Sequence, residues 1–217
     1  EWRSDTATPT TQLSLNYENK FQNKHNVKAL LLFETRKWET SELSGNRNTL
    51  MDAVDQIYAG LINDARSING SSDRNANVGL VGRFDYDYLS KYLVQASFRY
   101  DGSSKFYNKK WGFFPSFSLG WRISDEKFME STTNWLSNLK IRFGYGVTGS
   151  TAGIDPYSSA ASLDATAVNM ILGGVLTPIY KFSQNIPNYL LTWEKSYNTN
   201  IGIDAAFLNN RIDVSME

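Results

Sequence analysis

Apolar and polar residues alternate along the chain between Val78 and Ile123. In residues 80–88 every second side chain is apolar, aromatic or glycine, and arginine and aspartate are among those between. A period of two residues is typical of a β-strand with one apolar and one polar face. The alternation resumes after a short break at residues 89–91 and again from Trp111. The stretch therefore predicts three consecutive antiparallel strands joined by hairpins.

The same pattern extends over the rest of the chain and predicts an all-β fold, an antiparallel meander of about eight strands. Two long connections, at about residues 42–73 and 149–192, are predicted to be loops. The first has apolar residues at helical spacing and predicts a short surface helix. Its helical face is Leu50, Val54, Ile57 and Leu61. Residues 1–10 are polar and are expected to lie outside the regular structure. The remaining strands are predicted at about residues 11–21, 27–40, 139–148, 193–207 and from 212 onward.

The length of the alternating runs favours a membrane-spanning barrel over a soluble core. The runs last about ten residues or more, whereas strands of globular proteins usually have about five or six. Ten residues, tilted as in a barrel, cover about 25 Å, the height of the apolar band of outer-membrane barrels. Tight turns at one end and long loops at the other match periplasmic turns and extracellular loops. Tyr86, Tyr88 and Tyr92 gather beside a tight turn, where an interfacial aromatic belt is expected.

Composition narrows the function classes further. Lys+Arg and Asp+Glu are both 22, so no net charge suggests a nucleic acid as partner. No apolar run is long enough for a transmembrane helix, but alternating strands do not produce such a run. Aromatic residues are 14% of the chain, which fits a barrel with two aromatic belts, and cysteine is absent. The chain begins at Glu1 without a methionine and ends within an alternating run, so we expect it to be a piece of a longer protein.

The charged residues of the polar face are the first candidates for chemistry. They are Arg83, Asp85, Asp87, Arg99, Arg122, Lys140 and Arg142. Carboxylates beside bases can form catalytic pairs, but a water-filled lumen needs the same residues for solvation and cross-strand pairing. His25, the single histidine, lies in a polar turn and has no companions for a metal site or a triad. We predict no catalytic residue, no metal and no cofactor.

Aromatic residues near the long second loop are the candidates for substrate contact. Sugar rings stack on aromatic faces, and Tyr157, Tyr180 and Trp193 lie in or beside that loop. Aromatic residues also anchor loops and form interfacial belts, so this assignment competes with a structural one. Trp38 ends the second strand and is expected near a membrane interface.

Several segments resemble the SusC-like TonB-dependent outer-membrane transporters of Bacteroidetes in their residues as well as in their pattern. These segments cover residues 82–88, 97–106, 111–123, 139–149 and 191–204, in this order, and span most of the chain after Val78. The first seventy residues add only compatible patterning.

The resemblance implies that the strands are part of a 22-stranded transmembrane β-barrel in the outer membrane of a Gram-negative bacterium. In such transporters an N-terminal plug closes the barrel, a SusD-like surface lipoprotein covers it, and TonB supplies energy for importing glycans or peptides. The sequence departs from the full family pattern because it contains no plug, no TonB-contacting segment and only about eight strands. The expected partners of the intact protein are outer-membrane lipids, the lipoprotein, TonB and the substrate.

Two other interpretations remain open at this point. A self-contained soluble eight-stranded barrel could bind a small ligand with the same alternation turned inward. An all-β carbohydrate-active enzyme would need a paired carboxylate cleft, for which Asp85 and Asp87 are the candidates. For an isolated barrel fragment, unpaired sheet edges predict self-association.

Overall fold

The computed structural model describes residues 2–47, 66–161, 163–182 and 186–217. Within them the chain forms eleven strands and two short 3₁₀ helices, Ile123–Asp125 and Lys127–Thr132. None of the helices in these ranges has the length and apolar character needed to cross a membrane. The strands are β1 (Trp2–Ala7), β2 (Thr10–Phe21), β3 (His25–Arg47), β4 (Arg66–Tyr88), β5 (Tyr92–Ser103), β6 (Trp111–Arg122), β7 (Leu136–Ser150), β8 (Leu163–Leu172), β9 (Val175–Phe182), β10 (Glu194–Phe207) and β11 (Ile212–Met216).

Nine of the strands form one antiparallel sheet in the order β1, β3, β4, β5, β6, β7, β10, β11, with β2 also paired to β3. Ala7 lies opposite Glu39 and Thr10 opposite Arg36, so β1 and β2 share one register on β3. They are two parts of a single edge strand, separated by Thr8 and Pro9. A proline is tolerated there because an edge strand has one unpaired side. The sheet therefore has eight strand positions, and the predicted meander is confirmed.

The sheet is open within the described residues. Its edges are β1–β2 and β11, and no pairing joins them. A self-contained eight-stranded barrel would pair its first and last strands, because closure is what removes the edges. The described strands thus do not form the closed soluble barrel, and two rows of backbone N–H and C=O groups remain available for further strands.

The two ends of the sheet differ in their connections. At one end, here called the turn end, β2–β3, β4–β5 and β10–β11 are joined by three or four residues each. Residues in these turns adopt left-handed backbone, with φ of 54° at Leu89 and 58° at Ser90 and Asn209. At the opposite loop end, the links from β5 to β6 and from β7 to β10 are longer. The link from β6 to β7, residues 123–135, is also at the turn end but is longer and contains the two 3₁₀ helices. The predicted tight turns are therefore found in three of the four connections at this end.

Both loop boundaries predicted from the sequence are wrong in their described parts. Residues 42–47 and 66–73, expected in a loop, extend β3 and β4, with Glu42 opposite Ser71. The expected irregular N-terminus is likewise the strand β1, which lies against the same extension of β3. Side chains on both faces here are mostly polar, so the alternation ends while the backbone ladder continues. The predicted helix at Leu50, Val54, Ile57 and Leu61 lies outside the described residues.

The second long connection also contains regular structure. Gly149 and Ser150 belong to β7, and β8 and β9 form a separate two-stranded sheet within residues 163–182. Gly173 and Gly174 form its turn, with φ of 59° and 83°. Two consecutive residues with positive φ are required by the type I′ hairpin turn, which glycine adopts without strain. Part of the expected loop is therefore a hairpin.

Few apolar side chains are buried inside the molecule. Among the described residues these are Phe106, Phe114, Leu136, Val147 and Ala206. The accessible surface is 15849 Å², whereas a compact monomer of this mass would expose about 10000 Å². The sheet therefore has no core of its own on its broad faces.

The outer aromatic residues test whether the apolar face belongs to a protein interior. Phe84 and Phe143 are 44% and 37% exposed, and Phe117 and Trp121 are exposed to a similar degree. They lie side by side across β4, β6 and β7, on the face opposite the charged residues. The expectation that this face is not packed into a sealed centre is confirmed.

Gly82 allows a close approach on this face. A Cβ atom at Gly82 would lie 2.7 Å from Cζ of Phe98, its cross-strand neighbour on β5. We expect Gly82→Ala to lower the free energy of unfolding by about 1–3 kcal/mol, because the ring must leave its place beside Phe113. Urea denaturation of the folded protein in lipid or detergent measures the change.

Gly144 is the matched control for this substitution. It also lies within a strand, but a Cβ atom there meets nothing within 4 Å. Gly144→Ala should leave stability unchanged or raise it slightly, because it reduces the freedom of the unfolded chain. Equal losses for both alanine variants would show that close packing at Gly82 is not the cause.

Candidate functional site

Two aromatic belts border the apolar face. At the turn end, ring centroids follow one another across four strands: His25 to Tyr88 at 4.8 Å, Tyr88 to Tyr92 at 6.2 Å, and Tyr92 to Trp121 at 6.4 Å. At the loop end, Tyr100 stacks on Trp111 at 4.9 Å. Tyr100 follows Tyr92 by eight residues on β5, which is about 26 Å along the strand and about 20 Å of height at the tilt of barrel strands. This height is comparable to that of the apolar band of an outer-membrane barrel, about 25 Å.

One carboxylate fixes the aromatic belt at the turn end. Oε1 of Glu126 accepts hydrogen bonds from the Tyr92 hydroxyl at 2.6 Å and the Trp121 indole N–H at 3.2 Å. Nζ of Lys91 lies 3.6 Å from Oε2. Glu126 stands between the two 3₁₀ helices. It therefore ties the connection from β6 to β7 to the rings of two strands.

This arrangement makes a pH-dependent contribution to stability. The hydrogen bonds from Tyr92 and then Trp121, with the charge of Lys91, hold the pKa of Glu126 below its usual range. A carboxyl whose pKa is lowered on folding stabilises the protein above its unfolded-state pKa, and the contribution is lost as the pH falls through the folded-state pKa. Glu126→Gln should therefore lower the urea midpoint at neutral pH and have a smaller effect at about pH 3.

Glu130→Gln, in the same connection, is the control for that series. Its backbone carbonyl accepts a hydrogen bond from Thr133, and its side chain forms no ion pair within the described residues. The urea midpoints of the two variants should differ at neutral pH and converge in acid. A Glu126→Gln defect of constant size across the series would contradict the electrostatic origin of the effect.

The opposite face of the sheet is polar and continuous across its strands. It bears Gln12, Asn16, Glu18, Asn26, Lys28, Glu34, Arg83, Asp85, Asp87, Gln95, Arg99, Ser118, Lys140, Arg142, Asn198, Asn200 and Asp204. We call this surface the polar face. A cavity of about 550 Å³ lies over its middle, lined by residues of six neighbouring strands including Lys28, Gln95 and Asn200.

Ion pairs within the polar face join neighbouring residues and strands. Nζ of Lys28 lies 2.6 Å from Glu18, and Nε of Arg83 lies 2.8 Å from Asp85. Nε of Arg142 lies 2.8 Å from the carboxylate of Asp204. Exposed pairs of this kind contribute about 0–1 kcal/mol each to the free energy of unfolding. They therefore orient the side chains of the polar face more than they stabilise the sheet.

The two carboxylates of the enzyme hypothesis are already engaged. Asp85 accepts three hydrogen bonds from the Arg83 guanidinium, and Asp87 accepts one from the backbone N–H of Ser90 at 2.6 Å in the tight turn. Among the described residues, no three His, Cys, Asp or Glu side chains are grouped as a metal site requires. Nδ1 of His25 and the Tyr86 hydroxyl share a hydrogen bond of 2.8 Å beside the aromatic belt. Each of these groups has a structural role.

The loop end holds a small buried cluster around Phe106. This ring is fully buried, and its centroid lies 5.5 Å from that of Trp193. Phe114 meets the same indole edge-on at 5.3 Å. Ser159 donates a hydrogen bond to the carbonyl of Lys105 at 2.9 Å and thereby ties the two loops together. We call Phe106, Phe114 and Trp193 the loop cluster.

Pro115 marks the place where the sheet makes room for the loop cluster. The ladder between β6 and β7 begins at Ser116, opposite Gly146, and does not extend to the residues beyond Pro115. The register between β5 and β6 stays continuous there. Phe114, the next residue toward the loop end, is buried. The opening of the ladder thus admits rings between strands at the loop end.

The three predicted substrate-contact residues have different positions. Trp193 belongs to the loop cluster, and its indole N–H donates to the carbonyl of Lys110 at 3.0 Å. Tyr157 is 59% exposed and lines a cavity of about 400 Å³ with Asp73, Asp155 and Ile186. Tyr180 lies in β9, and its side chain is outside the described part of the structure. The structure does not bring the three together, and their contact with substrate stays a prediction.

Trp38 lies on the polar face of the sheet. It is opposite Asn75 on β4 and follows Glu34 and Arg36 at intervals of two residues. The period of the strand gives this face. Its position near a membrane interface stays a prediction.

Comparison with known proteins agrees with this geometry. The family described as "TonB dependent receptor-like, beta-barrel" matches residues 2–217. TonB-dependent receptor P39 of Formosa agariphila is 33% identical over 210 residues, which are 93% of this chain and 19% of that protein. TonB-dependent receptor SusC of Bacteroides thetaiotaomicron is 39% identical over 143 residues, 64% of this chain and 14% of that protein.

Solved structures show the same relation. The RagAB peptide importer in its open-open state superposes with a TM-score of 0.80 at 25% identity, covering 99% of this chain and 23% of that one. The structure of the RagAB peptide transporter gives a TM-score of 0.79. The chain therefore spans about a fifth of the length of the relatives it matches.

Proposed function

Because the chain belongs to the TonB dependent receptor-like beta-barrel family, we propose that it forms part of the barrel wall of an outer-membrane nutrient importer. The observation that carries this proposal is the exposed apolar face between two aromatic belts, which are about 26 Å apart along the strand. Exposed apolar surface of this extent is unfavourable in water and is matched by acyl chains. The polar face then lines the lumen.

The orientation follows from the connections. In outer-membrane barrels the short turns are periplasmic and the long loops extracellular. The turn end with Leu89 and Asn209 is then periplasmic, and the loop cluster with the β8–β9 hairpin faces the outside. Its open edges, β1–β2 and β11, pair with further strands of a 22-stranded barrel, since an unpaired edge is not tolerated in lipid.

The proposed cargo is a glycan or a peptide that passes along the polar face. Peptide transport is attributed to RagAB, a structural neighbour, and SusC is among the relatives of the sequence. Import through a plugged barrel requires TonB, and a surface lipoprotein of the SusD type is the proposed partner at the loop end. The protein acts as a transporter in this proposal and has no catalytic residue.

Fractionation and uptake of the full-length protein in its own bacterium test the proposal. The protein should sediment with the outer membrane and leave it only with detergent. Deletion of its gene, or of TonB, should abolish growth on one glycan or peptide source and leave growth on glucose unchanged. Recovery in the soluble fraction without detergent, together with unchanged growth on every source, would contradict the assignment.

A further inference from the structure

A second, smaller cleft lies on the polar face toward the loop end. It has a volume of about 230 Å³, and β3, β4 and β5 form its floor. Its distinctive residues are Glu34, Arg36, Trp38, Arg99, Asp101 and Trp193. We call it the indole cleft. Its position places it on the route from the extracellular loops to the lumen in the function proposed above.

Two indole rings line the cleft beside its charged residues. Trp38 is partly buried there. Trp193 is held by Phe106, Phe114 and its hydrogen bond to Lys110. A ring fixed in this way loses little entropy when a ligand packs against it. The cleft thus offers a preformed apolar wall.

Arg36 supplies a cation whose guanidinium forms no direct ion pair or hydrogen bond with a carboxylate among the described residues. Its guanidinium carbon lies 5.5 Å from the centre of the Trp38 ring, and its charge also acts on Glu34, two residues away on the same face. The neighbouring Arg99 is already paired, with Glu34 at 3.0 Å and Asp101 at 3.0 Å. The N–H donors of Arg36 are therefore open to an incoming anion, for which a planar carboxylate has the matching bidentate geometry.

The polar rim of the cleft contains groups of both kinds. Glu34 and Asp101 carry acceptor oxygens, and Arg36 and Arg99 carry N–H donors. A hydroxyl can do both, so a ring with several hydroxyls can satisfy donors and acceptors around one cleft. The ligand that matches the cleft also has an apolar ring face to pack against the indoles and a carboxylate to bind Arg36. These features together describe an acidic sugar.

We propose that the indole cleft binds one acidic sugar unit of the imported substrate, with its carboxylate on Arg36 and its ring against Trp38 and Trp193. This inference rests on the proposed function, because it names the cargo of the same lumen. It selects an acidic glycan over a neutral glycan or a peptide.

Calorimetric titration of the full-length protein in detergent with a sugar probe tests the inference. The probe is trigalacturonate, and its methyl ester keeps the rings but removes the charges. We expect the ester to bind about 10- to 100-fold more weakly, as loss of a charged hydrogen-bond pair predicts. Arg36→Gln should weaken binding of trigalacturonate by a similar factor and leave binding of the ester unchanged.

Arg74→Gln is the matched control, since Arg74 lies on β4, pairs loosely with Glu39 at 4.0 Å and does not line the cleft. The affinity of the Arg74→Gln variant for trigalacturonate should equal that of the unchanged protein. A circular-dichroism spectrum and heat-modifiable gel mobility equal to those of the unchanged protein establish that each variant is folded. Trp38→Phe should retain more affinity than Trp38→Ala, because a smaller ring keeps part of the wall.

The outcomes separate the inference from the proposed function. Equal binding of acid and ester, or equal losses in Arg36→Gln and Arg74→Gln, overturns the inference. Uptake of a neutral glycan or a peptide that is unaffected by Arg36→Gln also overturns it and leaves the importer function in place. Absence of any TonB-dependent uptake overturns the proposed function, and the inference with it.

Discussion

Replacing Ile201 with arginine is expected to destabilise the protein in a bilayer by about 2–4 kcal/mol, although the side chain is already 63% exposed within the chain. Ile201 lies in the middle of β10 on the apolar face, opposite Phe143. An exposed position in a water-soluble protein would tolerate the change within about 0.5 kcal/mol. The full-length protein, refolded into lipid vesicles and titrated with urea, measures the difference.

Asn200→Arg is the control, because the adjacent residue points to the polar face and lines its large cavity. We expect a change of less than about 1 kcal/mol there, since lumen substitutions leave the lipid contacts intact. The ratio of folded to unfolded bands on a gel run without boiling gives a second readout. Equal tolerance of arginine at both positions would show that the apolar face does not meet lipid.

Truncation of Phe106 is expected to have the second large effect. Its ring is fully buried at the loop end, and a buried Phe→Ala substitution costs about 3–5 kcal/mol. Because the loop cluster holds the connections on either side of it, we expect local unfolding there while the strands remain intact. Limited proteolysis of the full-length protein in membranes should produce new cleavage in residues 104–110 and 151–161.

Tyr107→Ala provides the comparison within the same loop. Tyr107 is 62% exposed and only meets Tyr189 edge-on, with ring centroids 5.5 Å apart. We expect a loss of about 0.5–1.5 kcal/mol, the size of an aromatic pair, and little new cleavage. Identical cleavage patterns for Phe106→Ala and Tyr107→Ala would contradict the central place of Phe106.

The experiments depend on parts of the fold that differ in how well the sequence predicts them. Residues 80–88 and 92–100 have the faces and pairing expected from their alternation, with Leu80 opposite Tyr100. Alternation identifies these strands because one face is apolar, and register must match that face. The extensions of β3 and β4 carry no such contrast, so their ladder of backbone hydrogen bonds has no counterpart in the residue pattern.

The substrate-contact residues illustrate the same limit. The sequence predicts Trp193 and Tyr157 as substrate contacts, yet only Trp193 lies in a packed cluster and lines the indole cleft. Arg36 lies far away in sequence, within an ordinary alternating run that gives no signal of a site. Only the structure shows that Arg99, and not Arg36, forms the direct ion pairs with Glu34 and Asp101.

The strand periodicity of the sequence predicts an antiparallel barrel wall with two chemically different faces. The residues of a few segments indicate its family. These properties depend on which side chains follow one another, and a chain carries that information locally. Folding in three dimensions settled where β1 pairs, how the second loop forms a hairpin, and that Trp38, Trp193 and Arg36 meet in one cleft. Trp38 and Trp193 are more than a hundred positions apart in the sequence, and contacts of this kind depend on strand order and on side-chain directions that no local pattern contains.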